Sequence, residues 1–424
     1  MKNIAFVIYY HKDNFYSLNA IIGALETDKV FEAIDFYFAK SNDEIHKILE
    51  KIVKLYNKII VGISFYTTQY FEIRELIHIL KNKFKEKCIL IAGGPHPTGD
   101  PSGTLKMGFD VVVVGEGEET IIEFMQKINS NENYNTVKGI AYIDDDQKYY
   151  YTGKQNLINL DKYPPFPSKI TRFGAIEITR GCPYVCYFCQ TPYISGTSPR
   201  HRSIETICKY VKEIKAYFGD LTFIRFISPN AFSYGSNDGK QLNLEKFENL
   251  LIDIRKIIGA KGNIFVGTFP SEVRPEHVNE ETLNLILKYA DNDNITIGAQ
   301  SGSQKVLNLC NRSHTVEDIY NAVELTLEVN LNVNLDFIFG LPGEEQEDIE
   351  LTIEMMRKLS NKGVRIHAHS FIPFPQTPFA KKPVRPINKI YKRELQKLIS
   401  KGLIFGEWRK QEKLAIKISK ILNG

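Results

Sequence analysis

Residues 181–190 read Gly-Cys-Pro-Tyr-Val-Cys-Tyr-Phe-Cys-Gln and place three cysteines, Cys182, Cys186 and Cys189, within eight residues. Gaps of three and two residues allow three thiolates to bind one iron–sulfur cube, and the fourth iron is then left without a protein ligand. An open coordination position is typical of reactive metal sites rather than structural ones. The spacing therefore predicts a cluster that takes part in chemistry.

Two other uses of these cysteines fit the sequence less well. A structural zinc site normally takes four nitrogen or sulfur ligands, and the nearest additional candidates, His201 and Cys208, lack a paired spacing. A disulfide framework is typical of short secreted chains, whereas six cysteines are spread over 424 residues here. A redox cluster is the preferred interpretation.

This spacing, with the aromatic Phe188 directly before Cys189, resembles the signature of the radical S-adenosylmethionine (radical SAM) superfamily. In that family SAM chelates the open iron, and an electron from the cluster cleaves SAM to a 5'-deoxyadenosyl radical. The resemblance implies a [4Fe-4S] cluster and SAM as cofactors. It also implies an electron donor such as ferredoxin or flavodoxin.

The composition is that of an ordinary globular protein. A chain of 424 residues predicts two or three domains, and 43% hydrophobic with 25% charged residues is unexceptional. No apolar run approaches the roughly 20 residues that span a bilayer. The first residues begin a strand directly and lack a signal peptide's cleavage pattern. We therefore expect a cytoplasmic protein without a membrane span.

The charge is unevenly placed along the chain. Residues 381–424 carry thirteen lysines or arginines against three glutamates, whereas the whole chain has a net charge of only +4. A basic tail of this kind is able to contact nucleic acid or another anionic partner. Apolar residues at helical spacing within it indicate helices that pack their apolar side inward and expose their basic side to solvent. Nucleic acid is therefore not expected as a partner.

The first 130 residues alternate short apolar runs with helical patterns, which predicts a doubly wound parallel sheet of the Rossmann-like α/β class. The predicted strands are residues 4–10, 33–38, 59–65, 89–92 and 111–114. The predicted helices are residues 17–26, 43–56, 70–84 and 119–128.

Ligands of such sheets bind beyond the carboxyl ends of the strands, and three loops there are unusual. They read Ser64-Phe-Tyr-Thr-Thr, Gly93-Gly-Pro-His-Pro-Thr and Gly115-Glu-Gly-Glu-Glu-Thr. Their glycines allow tight turns and a close approach of backbone to a flat or phosphate-bearing ligand.

Directly upstream of the cysteine motif, these loops resemble the cobalamin-binding domain that precedes the radical SAM domain in one branch of the superfamily. The resemblance implies a corrinoid cofactor. The residues it assigns to cobalamin are Ser64, Thr67, Gly93, Gly94, Gly115, Glu116 and Gly117.

The usual corrinoid motif, Asp-x-His-x-x-Gly, falls on residues 9–14. His11 matches, but Tyr9 and Asn14 replace the aspartate and the glycine. The hydrogen bond that would orient a ligating imidazole is therefore absent. We expect that His11 does not ligate cobalt.

The remaining chain is divided by composition. Residues 131–170 combine a hairpin pattern with a proline-rich stretch, which predicts a linker. Residues 171–380 show six further βα units, and they fit the partial barrel that the radical SAM resemblance implies. Their predicted strands are residues 175–179, 223–227, 264–268, 296–299, 334–339 and 367–372. Residues 381–424 are predicted as a basic helical extension, whose segment 402–408 packs over the barrel mouth.

The resemblance and the carboxyl-end rule for βα barrels together suggest the SAM contacts. Phe188 is expected near the adenine, and Gln300 and Ser301 are able to hydrogen-bond the ribose or the carboxylate of SAM. Arg312 is able to pair with that carboxylate. The loops that begin at Ser228 and Gly340 face the same cofactor.

Each of these SAM contacts also has a structural alternative, such as capping a strand, pairing with a surface acid or forming a turn. No catalytic residue is assigned. The residues considered for handling substrate are His314, His367, His369, Glu272 and Tyr234.

With both cofactors present, the resemblance implies methylation of an unactivated carbon of a small molecule or a peptide. One alternative is a methylthiotransferase acting on tRNA or protein, because residues 300–303 and 312–315 resemble that group. Those enzymes bind a second cluster through three N-terminal cysteines, whereas only Cys88 precedes Cys182. Another alternative is a corrinoid sensor or carrier with a non-catalytic cluster. The sequence does not name the methyl acceptor.

Overall fold

A computed structural model describes residues 4–84 and 87–423. The chain forms two compact units, Met1–Gly174 and Ala175–Gly424, and each is described by itself.

The first unit contains a seven-stranded sheet with helices on both faces. Its strands are β1 (Ile4–Tyr9), β2 (Ile34–Ala39), β3 (Lys58–Ser64), β4 (Ile89–Gly93), β5 (Val111–Val113), β6 (Ile140–Ile143) and β7 (Tyr149–Tyr151). Its helices are α1 (Phe15–Leu25), α2 (Asn42–Ile52), α3 (Tyr70–Phe84), α4 (Pro95–Gly99), α5 (Pro101–Lys106) and α6 (Glu118–Ser130).

The strand order is β2-β1-β3-β4-β5-β6-β7, and the first five strands are parallel. Alternate residues of β1 face opposite cores: Val7 packs with α2 and α3, and Phe6 packs with α1 and α6. Both faces are buried, which is why β1 is a continuous apolar run. The predicted doubly wound sheet is confirmed.

The segment predicted as a linker differs from that expectation. Its hairpin, β6 and β7, continues the first sheet, because β6 pairs antiparallel with β5 and Val111 lies opposite Tyr142. The following stretch packs on α1, where a Cβ on Gly23 would lie 2.9 Å from the Pro164 carbonyl oxygen. Residues 131–174 therefore complete the first unit, because they cover an edge and a helix that would otherwise be exposed.

The second unit is a succession of βα units. Its strands are β8 (Ile176–Glu177), β9 (Thr179–Arg180), β10 (Arg200–His201), β11 (Phe223–Ile227), β12 (Asn263–Phe265), β13 (Asn294–Gln300), β14 (Asn332–Phe339), β15 (Arg365–Ser370) and β16 (Ile404–Phe405). Its helices are α7 (Thr191–Ser195), α8 (Ile204–Phe218), α9 (Leu244–Ile258), α10 (Glu280–Tyr289), α11 (Gln304–Leu309), α12 (Val316–Glu328), α13 (Gln346–Ser360), α14 (Lys389–Ser400) and α15 (Trp408–Asn423).

Side-chain caps begin several of these helices. The Ser203 hydroxyl accepts from the Thr206 N–H at α8, and Asn243 caps α9 in the same way. Such caps satisfy backbone donors that the first turn of a helix leaves unpaired. They fix where each helix leaves the loop that follows a strand.

The strands form two parallel sheets, β12-β11-β8 and β13-β14-β15-β16. Backbone hydrogen bonds connect them: the Thr296 N–H donates to the Gly267 carbonyl oxygen (2.7 Å) and the Val273 N–H donates to the Thr296 carbonyl oxygen (2.9 Å). The six strands predicted for the partial barrel are all present. Their carboxyl ends carry the predicted cofactor loops.

The C-terminal extension is helical as predicted but also adds a strand. β16 pairs parallel with β15 through Ile366 and His367, so the segment expected over the barrel mouth lies along the sheet edge instead. Leu395 and Ile418 of the flanking helices are buried, which confirms their inward-facing apolar pattern. No described helix is long and apolar enough to cross a membrane.

Candidate active site

The cysteine loop of the second unit is shaped by two left-handed backbone positions. Gly181 has a φ of 95°, and a Cβ there would lie 2.2 Å from the Ser198 carbonyl oxygen, so only glycine fits. Val185 has a φ of 50°. The chain then turns back, and the Cys189 N–H donates to the Cys186 carbonyl oxygen (3.0 Å).

Side chains from distant parts of the barrel hold this loop in place. Asn311 Nδ2 donates to the carbonyl oxygens of Tyr184 (2.9 Å) and Val185 (3.2 Å). The Arg274 guanidinium lies 3.4 Å from the centroid of the Tyr184 ring, and it also binds Glu276. Protein contacts thus help to position the loop.

The three thiols occupy a desolvated position. Burial, and to a smaller degree the charges of Cys189 and Cys186, raise the pKa of Cys182 to about 11. Burial also raises the pKa of Cys189. These thiols are therefore neutral by themselves, and a bound metal cluster would hold them as thiolates. The donor set fits a [4Fe-4S] cluster with one open iron.

A fourth thiol, Cys310, lies beside the cysteine loop, although it comes 121 positions after Cys189 in the sequence. Its carbonyl oxygen accepts from the Tyr187 N–H (3.0 Å). Burial, and to a smaller degree the charge of Cys186, raise the pKa of the Cys310 thiol to about 12. The side chain packs in an apolar cluster with Val306, Leu341, Phe371 and Phe379. A neutral buried thiol behaves as a small apolar group, so we assign Cys310 to packing.

Arg312 reaches the same loop. Its Nη1 lies 3.7 Å from Cys186 Sγ, and its Nη2 donates to the Gly298 carbonyl oxygen (2.8 Å). Its Nε is buried without a partner among the described residues. Gln300, with a φ of 72°, folds back over the same glycine. Two predicted SAM contacts therefore meet beside the cysteines, and a ligand carboxylate would satisfy the unpaired Nε.

Two of the predicted contacts already have protein partners. The Ser301 hydroxyl lies 3.3 Å from Thr352 Oγ1 and accepts from the Ser303 N–H (3.2 Å). The Ser228 hydroxyl lies 2.9 Å from Ser271 Oγ. These bonds hold loops together, and contacts of either serine with SAM stay a prediction.

Phe188 and Gly340 lie at the apolar side of this site. Phe188 packs against the cluster around Cys310. Gly340 follows β14 with a φ of 77°, and its N–H donates to Glu344 Oε2 (3.2 Å). Burial raises the pKa of Glu344 to about 7, although the Tyr391 hydroxyl donates to it. The buried carboxyl shapes the turn that follows the strand.

The lumen of the barrel carries a cluster of ionisable side chains. Asp336 Oδ1 lies 2.9 Å from His367 Nδ1, and His369 Nε2 lies 3.2 Å from the same nitrogen. Burial raises the pKa of Asp336 to about 7. The charge of Asp336, followed by burial, raises the pKa of Glu272 well above its usual value.

The pKa values of the two imidazoles in this cluster are lowered rather than raised. Burial and the charge of His367 lower the pKa of His369 to about 4, and burial lowers that of His367. Neutral imidazoles beside carboxyls that hold a proton are able to exchange protons or bind a polar ligand.

The other residues considered for substrate have structural contacts. His314 is buried, its Nε2 lies 3.2 Å from the Ala299 carbonyl oxygen, and burial lowers its pKa to about 2. The Tyr234 hydroxyl donates to the Arg202 carbonyl oxygen (2.7 Å). These contacts indicate packing rather than catalysis.

In the first unit the candidate site lies at the carboxyl ends of β1 and β3, whose following helices pack on opposite faces. Such a switch point is where doubly wound sheets bind ligands. Asn14 Nδ2 donates to the Ser64 carbonyl oxygen (2.5 Å), and Ser17 Oγ lies 2.9 Å from Ser64 Oγ. Asn14 Oδ1 is buried and has no partner among the described residues.

The next loops add further buried polar atoms. Thr67 Oγ1 lies 3.0 Å from His96 Nδ1. His96 Nε2 and Gln69 Nε2 are buried without partners in the described part of the chain. Burial lowers the pKa of His96 to about 4, so its ring is neutral. Unpaired buried polar atoms are costly, and a polar ligand at this edge would satisfy them.

The glycines of this edge leave room for such a ligand. A Cβ at Gly93 or at Gly115 would meet no described atom within 4 Å. Gly94 has a φ of 93°, and a Cβ there would lie 2.6 Å from Ser64 Oγ. The first two glycines therefore form an open cradle, and the third is required by the turn.

The remaining predicted contacts of this unit serve its own packing. Glu116 Oε2 accepts from the Ile158 N–H (2.9 Å), and a Cβ on Gly117 would lie 2.8 Å from Ile21 Cδ1. His11 Nδ1 lies 3.4 Å from Asp13. Whether these residues contact a corrinoid stays a prediction.

Models of two known protein families match the chain, one in each unit. The model of the radical SAM superfamily matches residues 176–356. The model of the B12 binding domain matches residues 16–125. The chain is a B12-binding radical SAM protein. Its cofactors are cobalamin, SAM and a [4Fe-4S] cluster, which confirms the prediction.

Curated relatives of this B12-binding radical SAM protein include an uncharacterized methyltransferase of Pyrococcus horikoshii, PH0819. The two are 25% identical over 323 residues, which cover 73% of this chain and 66% of that protein. A tRNA-2-methylthio-N(6)-dimethylallyladenosine synthase of Natranaerobius thermophilus is 30% identical over 240 residues. That match covers 56% of this chain and 50% of the synthase. The chain thus spans about half to two thirds of these relatives.

Two solved structures share the fold of the B12-binding radical SAM protein. The radical SAM methyltransferase TsrM of Kitasatospora setae, with cobalamin and [4Fe-4S] cluster bound, has a TM-score of 0.70 at 16% identity. The alignment covers 90% of this chain and 74% of TsrM. The cobalamin-dependent enzyme OxsB has a TM-score of 0.63 at 18% identity, and its alignment covers 97% of this chain and 56% of OxsB.

Sequence reasoning missed one site residue and one neighbour. Asp336 lies in an apolar strand, and its alternation with Asn334 on the lumen side of β14 was the signal available. Nothing in the local sequence of Cys310 places it beside Cys186.

Proposed function

We propose that this radical SAM enzyme is a methyltransferase that methylates an unactivated carbon of a small molecule or a peptide. When bound, its cofactors supply a carbon radical and a methyl group. The similarity to an uncharacterized methyltransferase supports the proposal. We also propose a cytoplasmic setting, with ferredoxin or flavodoxin as the electron donor.

The observation that carries the proposal is the ligand edge of the first unit. The open backbone at Gly93 and Gly115 faces the same edge as the unpaired Nε2 of His96. A radical SAM barrel alone does not require such an edge. A cobalamin domain gives the enzyme a second cofactor, and a methyl donor is the use that fits carbon methylation.

The chain's own residues would position the reactants. Arg312 supplies a fixed positive charge beside Cys186, where the SAM carboxylate is expected. Phe188 and the apolar cluster around Cys310 exclude water from that side. The lumen side chains Asp336 and His367 offer polar contacts to a substrate. Exclusion of water protects a radical from side reactions.

Methylthiotransfer is the second candidate, because synthases of that kind are among the relatives. One feature opposes it. Cys88 is the only cysteine before Cys182 in this sequence, and it is buried directly before β4.

The decisive experiment is anaerobic reconstitution with iron, sulfide, SAM and methylcobalamin, followed by incubation with an extract of a deletion strain. Reduced flavodoxin supplies electrons. We expect 5'-deoxyadenosine to form and one metabolite or peptide to gain a CH2 unit. Methylcobalamin carrying a CD3 group should pass its label to that product.

Three other results would contradict the proposal. A gain of a CH2S unit together with about eight irons per chain would indicate methylthiotransfer. Absence of SAM cleavage by the reduced protein would indicate a corrinoid carrier. Formation of 5'-deoxyadenosine with an unmethylated product would indicate another radical reaction.

A further inference from the structure

The lumen cluster of the second unit has the shape of a metal site. Asp336, His367 and His369 each offer one ligand atom, and these three atoms all lie within 4.8 Å of one another. Two of the three separations are 2.9 and 3.2 Å. Nitrogen and oxygen ligands stand about 2.0–2.2 Å from Zn²⁺. At tetrahedral or octahedral angles such ligands are about 2.9–3.5 Å apart, which agrees with these distances.

Hydrogen bonding alone leaves these atoms in conflict. His367 Nδ1 faces both Asp336 and His369. An imidazole nitrogen offers either one hydrogen or one lone pair, so only one of its two contacts is a well-directed hydrogen bond. A cation bound by all three atoms removes the conflict, because each atom then directs a lone pair at the ion.

Neighbouring strands fix the ligands in this arrangement. Asp336 lies directly opposite His367 in the pairing of β14 with β15. His367 and His369 are two positions apart on β15, so both face the lumen. The Phe405 ring stacks on the His367 ring with centroids 4.4 Å apart and planes 7° apart. The C-terminal strand β16 therefore holds one ligand in its orientation.

The surroundings suit a dicationic charge. Glu272 makes a side-chain hydrogen bond with Asp336, which places a second carboxyl beside the three ligands. The side chain of His367 is 23% exposed, so an ion has a path of entry. Two imidazoles and carboxylates without a thiolate are typical ligands of zinc and non-haem iron(II).

We propose that Asp336, His367 and His369 bind one divalent transition-metal ion, Zn²⁺ when zinc is supplied, separate from the iron–sulfur cluster. Glu272 is the second carboxylate of this site. Three protein ligands leave a position for an oxygen or nitrogen atom of the substrate. The site does not depend on which group the enzyme transfers.

The test uses the full chain with its cluster and cobalamin in place. The protein is incubated anaerobically with ZnCl2, passed over a weakly chelating resin, and analysed for zinc and iron by mass spectrometry. Zinc is distinct from the iron of the cluster and the cobalt of the corrinoid. X-ray absorption at the zinc edge then identifies the ligand atoms.

We expect about one zinc per chain, with nitrogen and oxygen neighbours including imidazole. Asp336→Asn and His369→Gln should each retain less zinc than the wild type against the resin, since removing a ligand costs more than 1.4 kcal/mol and hence at least about tenfold in affinity. Their iron content should stay unchanged, which shows that the barrel is folded. His78→Gln, an exposed histidine on α3, is the matched control and should retain zinc.

Three results would overturn the proposal. One is a wild-type protein without zinc after the resin. Another is sulfur in the zinc shell, which would place the ion at the cluster cysteines. The third is equal zinc in the wild type and in an iron-loaded Asp336→Asn or His369→Gln protein. The wild-type spectrum decides the question even where a variant does not fold.

Discussion

Arg312 Nη1 lies 3.7 Å from the Sγ of Cys186, so a permanent positive charge stands beside one predicted cluster ligand. The guanidinium is held there by its bond to the Gly298 carbonyl oxygen. A Cβ at Gly298 would lie 2.6 Å from Arg312 Nη2, so a larger residue there would displace the guanidinium. The charge is therefore part of the folded scaffold before SAM arrives.

Replacing this charge should make the cluster harder to reduce. Hydrogen bonds to cluster sulfurs raise the reduction potential, and a charge-assisted bond is worth about 1.5–3 kcal/mol. Arg312→Gln should therefore lower the midpoint potential by tens of millivolts, on the scale of about 59 mV per tenfold for one electron. An EPR-monitored redox titration measures it. Arg393→Gln, exposed on α14, should leave the potential unchanged, and an unaltered potential in Arg312→Gln would refute the contact.

The two neighbouring thiols Cys186 and Cys310 should behave differently when removed. Cys186→Ala should lose nearly all of the roughly four irons of the cluster and all SAM cleavage. Cys310→Ala should keep both, with a modest loss of stability of about 1 kcal/mol from the packing defect. Iron analysis and 5'-deoxyadenosine formation distinguish them. Loss of iron in Cys310→Ala would show that the cluster uses this thiol.

Cobalamin binding should be sensitive to the size of the side chain at position 93. A leucine there meets no described protein atom within 4 Å at its Cβ, so the free energy of unfolding without cobalamin should change by only about 0.5 kcal/mol. Cobalamin should bind at least about tenfold more weakly, because steric overlap costs more than 1.4 kcal/mol. Gly93→Ala is the size control and should lose less. Equal cobalamin affinity of the leucine variant and the wild type would place the corrinoid elsewhere.

The Glu344 carboxyl should make stability depend on pH. Its pKa is about 7 in the folded protein against a usual 4.5. Its contribution to the free energy of unfolding is therefore complete below pH 4.5 and is lost as the pH rises through 7. The loss amounts to at most about 3 kcal/mol. In urea unfolding, the free energy of unfolding of the wild type should therefore fall relative to that of Glu344→Gln between about pH 4.5 and pH 7.

Glu350→Gln, exposed on α13, is the control for this titration. Its stability relative to the wild type should not change with pH. A constant difference between wild type and Glu344→Gln would show that the carboxyl is ionised in the fold.

The central strands were predictable because their residues are buried on both faces. Phe6 and Val7 of β1 contact opposite cores. A continuous apolar run therefore indicates a strand that is buried on both faces, even when the elements that pack on it are unknown. The hairpin of residues 140–151 was visible, but its partner was not. The pairing of Tyr142 with Val111 is decided by which sheet edge is free, and a local pattern does not contain that information.

The candidate site was predictable where one short segment contains it. Cys182, Cys186 and Cys189 lie in a single loop, and their spacing alone indicates their chemistry. Asp336 and Cys310 reach the site only when distant strands and helices pack together. For these two residues, the barrel's closure and not the local sequence determines the neighbours.

The strand β16 is only two residues long, Ile404–Phe405, yet it covers the outer edge of β15. Shortening the protein at residue 380 would bare a row of backbone donors and acceptors that another molecule is able to pair with. It would also free the ring of His367 to rotate. The C-terminal tail thus has two structural roles. It covers a strand edge that would otherwise promote self-association, and it orients a side chain that lines the expected substrate chamber.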